Sequence, residues 1–252
     1  NRPLTVALTN AAPTAVVLAL LRASSGAAGD VDRNDGSTCM HRAVENNASV
    51  DVIFALAEAD IVVQVVNSSP PVIRVRNKLG RTPLQRAIEL DKSPDFVTAL
   101  LESDRSVVVA QDDTGRTILH DAASHGSSAD ILSVLIDSSP SVAVITDNGL
   151  RSPLHLCTGD ATAVRLLLDA APTMALAQDA FGMVPLHHAV RRAGSIDAVR
   201  ALADGAPGAG AVMDNAGQTA LHTAVNALAS EEMIQAIVAS SQKAAVDIAT
   251  SF

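Results

Sequence analysis

Apolar side chains along this chain recur at the i, i+3, i+4 spacing that turns one face of a helix inward. The clearest sets are Val97, Leu100 and Leu101; Ile131, Val134 and Leu135; and Val164, Leu167 and Leu168. Each set follows a serine or aspartate suited to capping a helix. Ser93-Pro94-Asp95 is the fullest example, with cap, first-turn proline and an acidic residue favoured by the helix dipole. A shorter apolar stretch of about two to three turns precedes each set and predicts a first helix, so the elements come in pairs.

The pairs are copies of one unit. A short pattern returns six times, as Thr38-Cys39-Met40-His41-Arg42-Ala43, Thr82-Pro83-Leu84-Gln85-Arg86-Ala87, Thr117-Ile118-Leu119-His120-Asp121-Ala122, Ser152-Pro153-Leu154-His155-Leu156-Cys157, Val184-Pro185-Leu186-His187-His188-Ala189 and Thr219-Ala220-Leu221-His222-Thr223-Ala224. A weaker copy, Arg2-Pro3-Leu4-Thr5-Val6-Ala7, opens the chain. With the histidine slot as anchor, the copies fall at 5, 41, 85, 120, 155, 187 and 222.

Other residues keep their distance from that anchor. Glycine stands five before it (Gly36, Gly80, Gly115, Gly182, Gly217), and Asp112, Asp147, Asp179, Asp214 or Asn77 stands eight before. Proline stands fifteen before (Pro70, Pro140, Pro172, Pro207), and serine eight after (Ser49, Ser93, Ser128, Ser195, Ser230). The Asp-x-x-Gly piece reads as a turn, the Thr as an N-cap, and the proline after it as a first helical residue. The serine caps the second helix, and the distal proline ends the unit. Such a unit cannot bury its apolar side alone, and stacked copies make a continuous core.

Composition agrees. The chain of 252 residues is 48% hydrophobic, but only 2% aromatic, with no Trp and no Tyr. Layers two helices deep can be filled with Ala, Leu, Val and Ile, whereas a wide globular centre normally draws on aromatics. A net charge of −9 argues against nucleic acid as a partner, and the adjacent pair Arg191-Arg192 reads as solvated surface charge. Two cysteines, Cys39 and Cys157, are too few for a disulfide framework and point to a reducing compartment. No apolar run is long enough to span a membrane.

Asp112-Asp113-Thr114-Gly115-Arg116-Thr117-Ile118-Leu119-His120-Asp121-Ala122 closely resembles the ankyrin repeat, and the resemblance covers essentially the whole chain. It implies an all-α solenoid of stacked helix-turn-helix units with projecting hairpin loops, curved as an array, with partners bound by the hairpin tips and the concave helix face. Repeats are expected at 1–32 (partial), 33–76, 77–111, 112–146, 147–178, 179–213 and 214–252, as a single array in a piece of a longer chain. The fourth copy is short, with its second-helix cap at Asp160, and Leu150 stands where glycine is usual. Extra residues between Ser49 and Pro70, including Ile61-Val62-Val63-Gln64-Val65-Val66, extend a helix or form a β-like excursion.

Candidate chemistry is sparse. In the family the slot histidine (His41, His120, His155, His187, His222) braces the turn, and anchors ~10 Å apart cannot share a zinc ion. His125 and His188 fall outside the slot and read as surface residues. His120, Asp121 and Ser124 share one helix and cannot form a nucleophile–base chain. Cys157 reads as a buried small hydrophobe. No phosphate-binding glycine loop occurs, and neither a cofactor nor a small-molecule substrate is expected. The expected function is therefore a non-catalytic protein-interaction scaffold, intracellular and cytoplasmic, with an unidentified protein partner. The alternative is a regulatory or targeting segment of a larger enzyme or channel. The candidate contact residues are the open turn positions Lys78, Leu79, Arg81, Asp113, Arg116, Asn148, Arg151, Phe181, Met183 and Gln218. Among them Arg81, Arg116 and Arg151 form a basic row, and Phe181 and Met183 an apolar tip.

Overall fold

The computed structural model describes residues 3–67 and 71–250, with the backbone alone for residue 25 and for 61–67 and 242–250. The expected pattern positions Arg2 and Pro70 lie outside the described residues. The chain divides into two compact units, Asn1–Val107 and Val108–Phe252.

In the first unit the helices are α1 (Pro3–Thr9), α2 (Thr14–Ala23), α3 (Cys39–Glu45), α4 (Val50–Asn67), α5 (Pro83–Glu89) and α6 (Pro94–Leu101). The odd-numbered helices pack against one another, as do the even-numbered ones, and each odd helix pairs with the even helix that follows. Leu4, Leu8, Met40, Val44, Ile53, Leu56, Leu84, Ile88, Phe96 and Leu100 fill the space between them. Complete burial of such a side chain stabilises by about 1.5–3 kcal/mol. The extra residues after Ser49 continue the helix: α4 runs unbroken over 18 residues, with no β-like excursion.

The second unit repeats the plan with α7 (Ile118–His125), α8 (Ala129–Ser138), α9 (Pro153–Leu156), α10 (Ala161–Ala170), α11 (Pro185–Arg191), α12 (Ile196–Gly205), α13 (Ala220–Asn226) and α14 (Glu231–Thr250). Its core is Leu119, Ile131, Leu132, Leu135, Leu154, Val164, Leu167, Leu186, Val199, Leu202 and Ile237. All three expected apolar sets contribute to the cores, although Val134 is only half-buried. The helix shortened by the expected deletion is α9, a single turn of 4 residues, and Asp160 caps α10 by accepting the Thr162 and Ala163 amides.

Serine caps α6, α8, α12 and α14 as the offset requires. Ser93, Ser128, Ser195 and Ser230 accept the amide three residues on, at 3.1–3.4 Å. The first helices end in a way the sequence hides. The residue six after the anchor has left-handed φ at Ala11, Asn47, Asp91, Gly126, Ala193 and Leu228. The next amide then reaches back to the carbonyl of Ala7, Ala43, Ala87, Ala122, Ala189 or Ala224, at 2.8–3.1 Å. That is the Schellman closure, which satisfies end carbonyls and usually selects glycine. Only one of these six residues is glycine.

Between the pairs, Pro140 and Pro172 end one helix and then open a 3₁₀ turn, Pro140–Val144 and Pro172–Ala175. The chain next enters the Asp-x-x-Gly turn. Among the described residues each arm is a loop closed by backbone bonds such as Asp112 N–H to the Arg116 carbonyl and Gly115 N–H to the Asp112 carbonyl, both 2.9 Å, and successive turns are joined by single bonds such as Asn148 N–H to the Thr114 carbonyl at 2.9 Å. Among the same residues the strand-like pairing is two isolated bridges, Val31–Thr38 and Met213–Thr219.

Candidate functional site

Each turn is organised by its acidic or amide residue. Asp112 Oδ1 accepts the amides of Thr114 and Arg116 at 2.8 and 3.0 Å, and Asp147, Asp179, Asp214 and Asn77 repeat the pattern. Burial raises the Asp112 pKa, but hydrogen bonds from Thr114 and Arg116 and the charge of Arg116 outweigh it, so the net shift is downward. The turn glycines Gly36, Gly80, Gly115, Gly182 and Gly217 all have φ near +75°, as the pattern requires. At the displaced turn Leu150 itself takes φ +61°.

The anchor histidines sit under these turns. His120 Nδ1 accepts the Thr117 amide at 3.1 Å, and its Nε2–H donates to the Arg151 carbonyl of the next turn at 2.9 Å. His41 joins Thr38 to Arg81, His155 joins Ser152 to Ala177, and His187 joins Val184 to Gln218 in the same manner. Burial lowers the pKa of His41, His120 and His187, and carries His155 down to about 4 with help from the charge of His188. These rings are therefore neutral and fully engaged. His120 in particular does not meet Ser124, whose hydroxyl donates to the Asp121 carbonyl.

His188 corrects the sequence reading. It is buried, not on the surface, and its Nε2–H donates to Asp179 Oδ2 at 2.7 Å, with the His155 ring edge-on at 5.6 Å. The slot one after the anchor is held elsewhere by Arg42, Arg86, Asp121, Leu156 and Thr223, mostly half-buried polar residues, so the burial of His188 there leaves no periodic signal. The pairing with a residue nine positions earlier is set by the fold. His125 is exposed, and its Nδ1 lies 2.9 Å from the Asp121 carbonyl. Among the described residues no group of three His, Cys, Asp or Glu is placed to hold a metal ion. Both cysteines are buried thiols, and burial, with the Asp160 charge, pushes Cys157 up to about 12.

The turn positions divide into engaged and open ones. Lys78 donates from Nζ to the Arg33 and Asn34 carbonyls, and Asn148 Nδ2 donates to the Asp113 carbonyl. Both side chains therefore tie one turn to its predecessor. Arg81 Nε pairs with Glu89 at 2.7 Å, Arg116 Nη2 with Asp121 at 3.0 Å, and Arg151 Nη2 with Asp147 at 2.7 Å. Leu79 and Phe181 project into solvent, 79% and 65% exposed, as does Leu150 at 54%. Asp113 and Gln218 are exposed, while Met183 is half-buried and belongs to the tip less than Phe181 does. Leu150 was not among the expected contact residues. Its glycine slot concealed it.

Paired short helices closed by hydrogen-bonded turns, with histidines consumed in bracing and solvent-facing turn tips in each unit, define a helical repeat protein of the binding class. The chain belongs to the ankyrin repeat family: the family model for ankyrin repeats (3 copies) matches residues 69–148, 91–176 and 164–249. No curated protein sequence matches it. Among solved structures it is similar to the ankyrin repeat domain of Bcl-3, described as a unique member of the IkappaB protein family. That match has 22% identity and a TM-score of 0.69, over 94% of this chain and 98% of that one. It is also similar to the human ASB11 ankyrin repeat domain, with 19% identity and a TM-score of 0.66, over 96% and 98% of the two chains. These likenesses establish the fold. Among the described residues no helix is long and apolar enough to cross a membrane.

Proposed function

We propose that this chain is a non-catalytic scaffold that holds a partner protein through its turn tips and first-helix face. Ankyrin repeats are protein–protein interaction modules, and the observation that carries the reading here is Phe181. A chain with four Phe and no Trp or Tyr places one of them 65% exposed at a turn. Solvent exposure of a large aromatic gives up the area term that burial would supply, and such residues are enriched where partners are bound. Leu79, exposed on another turn, fits the same role. The expected contact set, the repeat boundaries beginning at 33, 77, 112, 147, 179 and 214, and a reducing intracellular location belong to this reading. Two buried thiols outside any disulfide suit that location.

The test is affinity capture from a lysate by immobilised chain, comparing wild type with Phe181→Ala and Leu79→Ala. Both side chains are exposed, so neither change should alter the melting temperature. Selective loss of one or more wild-type partners is expected. Identical recovery of every partner by both variants removes the tips from the site, and no specific capture by wild type removes the scaffold reading.

A further inference from the structure

Equivalent positions on the first helices carry different charge logic in the two units. In residues 1–107 the arginines one after the anchor meet glutamates four after it: Arg42 with Glu45 at 3.2 Å, and Arg86 with Glu89 at 2.7 Å. Arg81 and Glu45 join the same pairs, so this face is internally neutralised.

In residues 108–252 the corresponding glutamates are gone. The positions four after the anchor are Ser124, Gly159, Arg191 and Asn226. Arg116 runs along α7 to its last turn, where Nη2 donates to Ser124 Oγ at 2.8 Å. Two anchors further on, Arg191 occupies the equivalent place on α11, and Arg192 follows as its C-cap. Between them α9 is a single turn, and Gly159 stands exposed with open space where a side chain would project. Helices α7, α9 and α11 pack in that order, so the short α9 lies between the helix that carries Arg116 along its length and the one that ends in Arg191 and Arg192. The carboxylate in that loop, Asp160, is turned to the α10 amides.

Arg116 and Arg151 have partners in Asp121 and Asp147. Among the described residues neither Arg191 nor Arg192 has a carboxylate within ion-pair distance. Burial, and after it the charges of Arg151, Arg191 and Arg116, depress the Arg192 pKa, so Arg192 lies in the field of the other three. Residues 108–252 carry fifteen Asp or Glu against seven Lys or Arg. Arg191 and Arg192 are thus the uncompensated cations of this face, and holding them beside Arg116 and Arg151 costs repulsion that an anionic ligand would relieve.

We propose that the first-helix face of this second unit, around the short α9 and the side chains of Arg116, Arg151, Arg191 and Arg192, docks an acidic Asp/Glu-rich segment of the partner protein. The proposal rests on the scaffold reading and assigns its partner's chemistry. Carboxylates fit the planar guanidinium fork. A long nucleic-acid backbone would leave the four cations and run over the surrounding acidic surface.

The test titrates fluorescein-labelled octaglutamate into the full chain and reads anisotropy at low and high salt. Saturable, salt-weakened binding is expected, with Arg191→Glu/Arg192→Glu weakening it about tenfold or more. Arg165→Glu/Arg200→Glu makes the same net-charge change on α10 and α12 and should leave affinity within about twofold. Circular dichroism checks that both variants fold. The proposal is overturned if wild type does not bind, if both double variants weaken binding equally, or if an oligouridylate of equal charge binds more tightly at the same residues. Capture of the wild-type partners from lysate by the Arg191→Glu/Arg192→Glu chain would leave the scaffold reading standing while removing the acidic-segment docking.

Discussion

His120 Nε2 donates to the Arg151 carbonyl at 2.9 Å across 31 residues, while Nδ1 of the same ring accepts the Thr117 amide. One imidazole thus closes its own helix start and fastens the following turn. His120→Ala would leave a buried amide and a carbonyl without partners, each a loss of about 1–3 kcal/mol. We expect destabilisation of roughly 2–4 kcal/mol in chemical denaturation, with His120→Gln recovering part of it, because Gln85 already accepts the Thr82 amide in that slot. Equal losses for Ala and Gln would show that ring volume, not hydrogen bonding, is what matters.

Acid stability should depend on His155. Its pKa falls from 6.5 to about 4 on folding, because burial and His188 oppose the charged ring. The unfolded chain therefore binds the extra proton between those values, so stability is fully present above about pH 6.5 and drains away as pH falls towards 4. The shift corresponds to about 3 kcal/mol. His155→Gln should lower stability at neutral pH yet flatten the melting-temperature profile across this window; an unchanged slope would contradict the assignment.

Leu150 occupies a left-handed conformation, φ +61°, where the other turns use glycine. Such a backbone costs a side-chain-bearing residue about 1–2 kcal/mol, partly offset by the greater unfolded-state freedom of glycine. Leu150→Gly should therefore stabilise by roughly 0.5–1 kcal/mol. The reverse experiment, Gly115→Ala, places a Cβ 2.7 Å from the Asn148 amide nitrogen and should destabilise by about 1–3 kcal/mol. Thermal unfolding of the two variants should move in opposite directions.

Cys157 should be chemically silent in the native chain. A buried thiol with a pKa raised to about 12 exposes almost no thiolate at pH 8, so iodoacetamide should leave it unlabelled until denaturant is added. Rapid native labelling, read by mass spectrometry, would place Cys157 in a more open environment.

The helix pairs, their caps and the turns were legible from the chain because each rests on a local rule. Serine or aspartate accepts amides three residues on, proline fits a first helical position, and glycine takes positive φ. The shortened α9 and its Asp160 cap followed from counting residues. The helical end of Ala193 and Leu228 was not legible, since neither side chain announces a left-handed backbone. Among the contact candidates, Phe181 and Leu79 emerged as projecting tips, whereas Lys78 and Asn148 turned out to bridge neighbouring turns. The difference lies in atoms of the adjacent turn, 35 residues away in the chain for Asn148 and 44 and 45 for Lys78.

By itself the sequence determined the repeated unit, its helix starts and its apolar faces, because capping, φ preference and amphipathic spacing act within a few residues. Only the tertiary structure decided that His188 is buried against Asp179, that Arg116 reaches the end of α7, and which arginines find carboxylates. Burial and charge pairing depend on which turn and helix lie alongside. Those neighbours are brought together by stacking, which no local pattern encodes.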